Sequence, residues 1–345
     1  MNALTSYRGT YSHWLLLALL VGTRSAAADL EADKNRFSVR AHSVFGVQAE
    51  FKNLGGFARP TAPGAATNGV DHFYDDGFNR VDVSGNADGL TWYWGYQNAS
   101  QLVGSDTIAM HSATGTEGGS LEAEEDLPQW GLELVYTREL GSSSSYWWAV
   151  ELGVGWLDLS FSENATLASD VSLTTDTYNL SGVTPPLAPY AGSFNGPGPV
   201  IGDLPSRSVA TLPGAAVTTG RYHLDATMYT FRLGVLYESP FNDWLGLQFG
   251  GGGLATFVDG EFRFSEQVSY SSISLSREGA ESESDFVGGA YAMAGLAFHF
   301  TERVVATVGA QYNFLGDFSQ EFGEKEARID FEHLIFVSAG VGIKF

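Results

Sequence analysis

The chain has 345 residues, with 18 Lys+Arg against 40 Asp+Glu for a net charge of −22, no Cys, 42 Gly, and 8 Trp, 15 Tyr and 23 Phe. Without cysteine there is no disulfide framework, thiolate nucleophile or Cys-ligated zinc, and the acidic balance argues against nucleic acid as a partner. Charged residues at 17% fall below the ~25% usual for soluble domains, while an apolar content of 44% argues against disorder.

Residues 1–28 carry Arg8, then the uncharged run from Trp14 to Gly22, then Ala26, Ala27 and Ala28 before Asp29 and Glu31. This is the three-part pattern of a secretory signal peptide with small residues at the cleavage positions. Cleavage is expected between Ala28 and Asp29, leaving residues 29–345 as one exported domain. Loss of Arg8 and Arg24 would make that domain still more acidic. The apolar core of this segment is too short for a spanning helix, which needs ~20 residues. The longest later uncharged runs, 244–258 and 286–300, also fall short of that length and are rich in Gly and Ala.

The mature chain alternates apolar and polar residues, the period of a strand with two different faces. Phe37, Val39, Ala41, Phe45, Val47, Ala49 and Phe51 share one parity, opposite Arg40, His42, Glu50 and Lys52. Leu90, Trp92, Trp94 and Tyr96 follow, then a weaker segment with Leu102, Ile108 and Met110. Trp130 to Tyr136, Trp148 to Trp156, Tyr229 to Tyr237, Leu245 to Phe257, Phe286 to Phe300 and Val304 to Phe314 repeat the pattern. Ile329 to Phe345 closes the chain. These segments predict an all-β, antiparallel fold of about ten strands. Eight or twelve are the alternatives, because 101–114 is weak and 165–180 and 260–275 could extend as hairpins above a membrane.

Connections alternate in length. Short joins at 98–100, 141–145, 239–243 and 301–302 alternate with long polar ones at about 53–79, 115–126, 165–218, 265–284 and 315–328. Aromatics fall near both strand ends. Trp92, Trp94, Tyr96, Tyr146, Trp147, Trp148, Phe241, Trp244, Phe298 and Phe300 lie near short joins. Trp130, Trp156, Tyr222, Phe286, Tyr312 and Phe314 lie near long ones. Two such belts match the girdles of a transmembrane barrel. Val304 to Phe314 covers ~33 Å of strand, or ~25 Å of height at a tilt of ~40°, the thickness of the apolar band.

With its signal segment, alternating strands and terminal strand ending in Val341, Ile343 and Phe345, the chain resembles the bacterial outer-membrane β-barrel proteins. In strand count it resembles the small OmpA-type barrels more than the large porins. The resemblance implies an outer-membrane location, contact with outer-membrane lipid and lipopolysaccharide, and recognition of the C-terminal residues by the barrel-assembly machinery. It names no extracellular ligand and no cofactor.

A barrel of about ten strands has a narrow lumen. The inward parity places Arg40, His42, Glu50, Lys52, Glu133, Glu151, Arg232, Glu238, Gln311, Asp330 and Glu332 there. One reading pairs these charges and plugs the lumen, leaving a structural or surface-interacting role to acidic external loops. The alternative lines a narrow pore for ions or small solutes with them. A hydrolase embedded in the barrel is the weakest reading. The resemblance includes proteases and lipid-modifying enzymes with His, Asp or Ser near the outer rim, and the dense cluster here is Asp71, His72, Asp75 and Asp76. No nucleophile stands at a defined spacing, so no enzymatic activity is expected. Asp71, Asp75 and Asp76 form a candidate Ca²⁺ site, since hard cations take carboxylate oxygens.

Overall fold

The computed structural model describes residues 34–58, 63–116, 119–124, 129–143, 145–271 and 273–345. The expected signal segment and its Ala28/Asp29 cleavage site lie outside them. In chain order the strands are β1 (Asn35–Phe45), β2 (Gln48–Leu54), β3 (His72–Phe73), β4 (Gly77–Asn79), β5 (Leu90–Thr91), β6 (Trp94–Tyr96) and β7 (Leu102–Val103). There follow β8 (Thr107–Gly115), β9 (Gly119–Glu124), β10 (Gln129–Ser142), β11 (Trp147–Asn179), β12 (Tyr190–Ala191), β13 (Ile201–Gly202) and β14 (Ser206–Pro240). Last come β15 (Leu245–Tyr270), β16 (Ile273–His299), β17 (Val304–Leu315), β18 (Phe318–Phe322), β19 (Lys325–Asp330) and β20 (Leu334–Lys344).

Eight of these close a ring in the order β10, β1, β20, β17, β16, β15, β14, β11, with β11 returning to β10. Every pairing is antiparallel, from Arg36↔Lys344 between the terminal strands to Leu132↔Trp156 at the closure. Closure leaves no unpaired edge, the condition for backbone to cross a bilayer. The ring thus takes the lower of the strand numbers weighed from the sequence.

Side-chain direction is constant along each strand, but what the two faces carry inverts part-way up. On β11, Trp148, Val150, Leu152, Val154 and Trp156 point outward and Ala149, Glu151, Gly153 and Gly155 point inward. Beyond Leu157 the outward residues are Asp158, Ser160 and Ser162, and the inward ones are Leu159 and Phe161, both buried. β14 switches between outward Tyr229 and Thr227, and β15 between outward Phe257 and Asp259. Trp156, Tyr229, Phe257 and Phe286 are paired in one row across four strands. Below that row the outer wall is a continuous apolar belt, including Val39, Leu134, Leu233, Val308, Val337 and Val341, each about half exposed. A belt of that extent is stable only against hydrocarbon, so this tier spans the outer membrane and the aromatic row marks its upper interface. No helix among the described residues is long and apolar enough to cross a membrane.

Above the row the ring flattens. β11, β14, β15 and β16 run straight on. β2, β19, β18 and β9 continue β1, β20, β17 and β10 as a second sheet in the order β18, β19, β2, β9. The two sheets face each other over a core of Phe51, Leu54, Phe161, Leu224, Phe262, Phe318 and Ile329, with Phe51 stacked on Phe262 at 5.7 Å. Much of 165–218 and 265–284, expected as loop, is therefore strand, which the hairpin alternative allowed.

This tier corrects several expectations. Parity slips by one between Phe45 and Val47, where Gly46 takes φ +81°, and again between Phe331 and Leu334. Ala49 and Phe51 consequently face the core. Glu50, Lys52, Asp330 and Glu332 lie outside the lumen, with Glu50 and Lys52 paired at 2.9 Å on the outer face. Tyr222 is buried within the tier and belongs to no girdle. Trp94 and Tyr96 form a three-residue strand buried in an outermost subdomain, so 90–96 and 102–110 add no strand to the ring. That subdomain, the crown, joins β3, β4, β6 and β12 in one sheet and β5 with β13. It docks through β8 onto the tip of β11, from Val171↔Gly115 to Asn179↔Thr107.

Phe262→Ala removes the ring at the centre of the upper core and is expected to cost about 3–5 kcal/mol. Limited proteolysis in nanodiscs should then cut the 259–285 hairpin while 286–300 stays protected.

Candidate functional site: the lumen cluster and the crown

Inward-facing residues of the membrane tier meet across the lumen. Arg40 Nη2 donates to Glu151 Oε1 at 2.9 Å and Arg40 Nη1 lies 3.7 Å from Glu133 Oε2. Arg232 reaches the same two acids: its Nε pairs with Glu133 Oε1, its Nη2 donates to Glu133 Oε2 at 3.2 Å, and its Nη1 lies 3.6 Å from Glu151 Oε2. Arg232 Nη1 also donates to Tyr291 OH at 3.1 Å, with the guanidinium 5.1 Å from that ring's centre. Glycine makes the crossing possible, since a Cβ on Gly153 would stand 2.7 Å from both Arg232 Nε and Glu133 Oε1.

A second layer lies toward the short turns. Glu238 pairs with His299 Nε2 at 2.7 Å and accepts from Gln248 Nε2 at 2.7 Å, while Arg36 sits over the Trp147 ring at 5.5 Å. Arg36, Arg40 and Arg232 face Glu133, Glu151 and Glu238, so the two layers are charge-balanced. Of the residues expected in the lumen, Arg40, His42, Glu133, Glu151, Arg232, Glu238 and Gln311 are there. The cavity left among His42, Glu133, Arg232, Gln311 and Asn313 is about 40 Å³, room for only a few waters.

The crown holds the dense acid–His cluster, and its geometry is not that of a metal centre. Asp71 accepts from Arg80 Nε at 3.1 Å and from Val81 N at 2.9 Å. Asp75 accepts from Ala113 N at 2.8 Å, and Asp76 from His111 N at 2.8 Å and His111 Nδ1 at 2.6 Å. These carboxylates tie separate strands together, and among the described residues no group of three or more His, Asp or Glu is arranged to hold a metal. The expected Ca²⁺ site at Asp71, Asp75 and Asp76 is corrected accordingly. Spacing along the chain places acids near one another, but backbone amides and an arginine then claim them.

Deeper in the crown, His72 is fully buried with its ring nitrogens 2.7 Å from Pro63 O and 2.9 Å from Thr67 O. Asp176 is also buried, receiving Tyr74 OH at 2.6 Å and a bidentate Arg207 at 2.8 and 2.6 Å. Burial pushes the Asp176 carboxyl up, but the Arg207 and Tyr74 hydrogen bonds outweigh it and hold it below the usual carboxylate range. Burial, aided by neighbouring Tyr178 and Asp176, raises Tyr74 far above an ordinary phenol. This network locks the crown to β11 and β14, an anchor that loop composition concealed. Arg207 and Asp176 lie 31 residues apart in sequence. Their only sequence signal was the alternation continuing past Phe161.

The terminal residues Val341, Ile343 and Phe345 point outward at the lower rim, where Phe345 stacks on Phe37 at 5.6 Å.

No protein-family model matches the chain, and no curated protein matches it in sequence. Among solved structures it is similar to the outer-membrane protease OmpT of Escherichia coli, with 9% identity, 91% of this chain and 97% of that chain covered, and a TM-score of 0.33. It is similar also to Ail, the attachment invasion locus protein of Yersinia pestis, in complex with a heparin analogue. There the identity is 12%, the coverage 90% and 99%, and the TM-score 0.26. A Pseudomonas aeruginosa FadL homologue matches at 8% identity, 91% coverage of each chain and a TM-score of 0.19. The match to a protease corrects the expectation that this chain is not an enzyme, which is withdrawn. At these identities and scores, none of the matches assigns an activity to it.

Arg232→Ala leaves Arg40 alone to hold both Glu133 and Glu151 and is expected to destabilise the barrel by about 3–5 kcal/mol in urea titration. In the crown, the hydrogen bond that His111 Nδ1 donates to Asp76 raises the imidazole above its ordinary value, against the opposing effect of burial. A raised folded value means the pair stabilises fully below ~6.5 and loses its effect as pH rises through that value. Amide exchange protection of 107–115 should therefore fall as pH rises above ~6.5 in the native chain, and His111→Gln should remove that dependence.

Proposed function

We propose that this chain is a sealed, non-conducting outer-membrane barrel whose function resides in what it holds above the membrane. The observation that carries this reading is the double closure of the lumen. Charge-paired layers fill the membrane tier, and the flattened apolar core seals the tier above it. A pore needs a continuous wet path and an unbalanced lining to select ions, and the balanced clusters supply neither.

From Asp158 to Asn179, β11 extends roughly 70 Å beyond the aromatic row, or roughly 50 Å of height at the tilt of such barrels. That length lifts the crown clear of the lipid headgroups. The role is therefore structural and surface-interacting, with outer-membrane lipid and lipopolysaccharide around the belt and lower wall. The barrel-assembly machinery would read Val341, Ile343 and Phe345 during insertion.

The test is planar-bilayer recording of residues 29–345, with folding confirmed by circular dichroism. The proposal predicts a folded, silent protein. Reproducible conductance steps that change ion selectivity in Arg232→Lys would establish the pore reading instead.

A further inference from the structure

The upper tier contains a charge cluster unrelated to the lumen, two cations on one buried carboxylate. Glu266 on β15 points into the space between the two sheets, fully buried, and accepts from Tyr222 OH at 2.8 Å. Two cations converge on this one carboxylate: Arg277 Nη2 at 2.7 Å and Lys325 Nζ at 3.1 Å. Lys325 is 5% exposed. Its ammonium stands 3.1 Å from Glu266 Oε1 and helps to keep that acid ionised both by its charge and by hydrogen bonding. Arg277 Nε is buried without an acceptor. Burial would raise the Glu266 carboxyl, but Lys325, Tyr222 and Arg277 reverse that and hold it well ionised. Buried Lys325 and partly exposed Arg277, whose side chain is 29% accessible, share one buried anion, so within this trio one positive charge is in excess.

That excess charge borders a cleft of about 910 Å³, at which Arg277 and Lys325 meet the rings of Phe57, Phe264 and Phe322. Lys325 Nζ lies 5.2 Å from the centre of the Phe264 ring. Exposed Glu278 and Glu324 stand at the rim. Aromatic walls, a partly buried cationic floor and an acidic rim together favour a flat apolar body with a single negative charge and disfavour polyanions.

We propose that this cleft is a binding site for a small, water-soluble monoanion, a carboxylate or phosphodiester on an apolar or aromatic body. Its charged group pairs with Lys325 and Arg277, and its body lies against Phe57, Phe264 and Phe322. The cleft stands at the level of the crown's β8, well above the aromatic row, so its ligand arrives from water and not from the bilayer.

The experiment is calorimetric titration of naphthalene-2-carboxylate into the full mature chain in neutral-lipid nanodiscs, with naphthalene-2-carboxamide as the uncharged comparison. Saturable binding of the carboxylate at least tenfold tighter than the carboxamide is expected. Lys325→Met keeps the length of the side chain and removes its charge, and should bring the carboxylate to the level of the carboxamide. Arg277→Gln gives a second variant should the first fail to fold, with the same direction expected. Adding phosphatidylglycerol to the nanodiscs should leave binding unchanged. Equal affinity for the two probes, no saturable binding, or undiminished binding in a folded variant would overturn the site. Competition by phosphatidylglycerol would overturn the assignment to a soluble ligand.

Discussion

A strand holds each side chain on one of two faces for its whole length, and these strands cross from hydrocarbon into water part-way along. Everything else in the architecture follows from that. Below Trp156, Tyr229, Phe257 and Phe286 the outward face must be apolar and the inward face is free to be polar. Above that row the requirement reverses, so Asp158 and Asp259 face water and Phe161 and Phe262 face inward. One continuous strand such as β11 thus carries two opposite amphipathic patterns, joined at an aromatic whose amphipathic ring suits the interface.

The inversion also explains why the lumen is closed by two kinds of chemistry. Within the membrane tier the eight-stranded ring is narrow, and glycines such as Gly153 leave just enough width for Arg232 and Glu133 to pair across it. Arg40 and Arg232 are paired with Glu133 and Glu151, whereas Arg36 is buried over the Trp147 ring without a hydrogen bond of its own. Above the interface the ring collapses into two facing sheets, and the seal becomes ordinary apolar packing. The breaks that allow this fall where β1 and β20 turn over, at Gly46 and between Phe331 and Leu334.

Most of the membrane tier was legible from alternation alone. Leu132, Val150, Phe231, Leu247, Val308 and Val341 all face outward as their parity predicts, and the inward set from Arg40 to Gln311 meets in the lumen. What misled was continuity of period. Phe37 to Phe51 reads as one uninterrupted strand, yet a one-residue slip at Gly46 sends Glu50 and Lys52 to the outer surface, because a register shift exchanges every side chain's face. Trp92, Trp94 and Tyr96 alternate as well as any barrel strand, but periodicity reports a strand without naming the sheet it joins. The acids Asp71, Asp75 and Asp76 illustrate the same limit for chemistry, since their partners, Arg80, the Ala113 amide and His111, are set by folding.

The inversion of faces on β11 is the claim on which the rest depends, and a chain without native cysteine suits a direct measurement of it. Single cysteines at Val150, Leu152, Val154, Asp158, Ser160 and Ser162, spin-labelled in lipid bilayers, would be compared for collision with oxygen and with a water-soluble nickel chelate. Labels at 150, 152 and 154 should favour oxygen, and labels at 158, 160 and 162 should favour nickel, with the crossover at Trp156. Oxygen preference continuing through 162, or nickel preference reaching down to 150, would contradict the two-tier barrel.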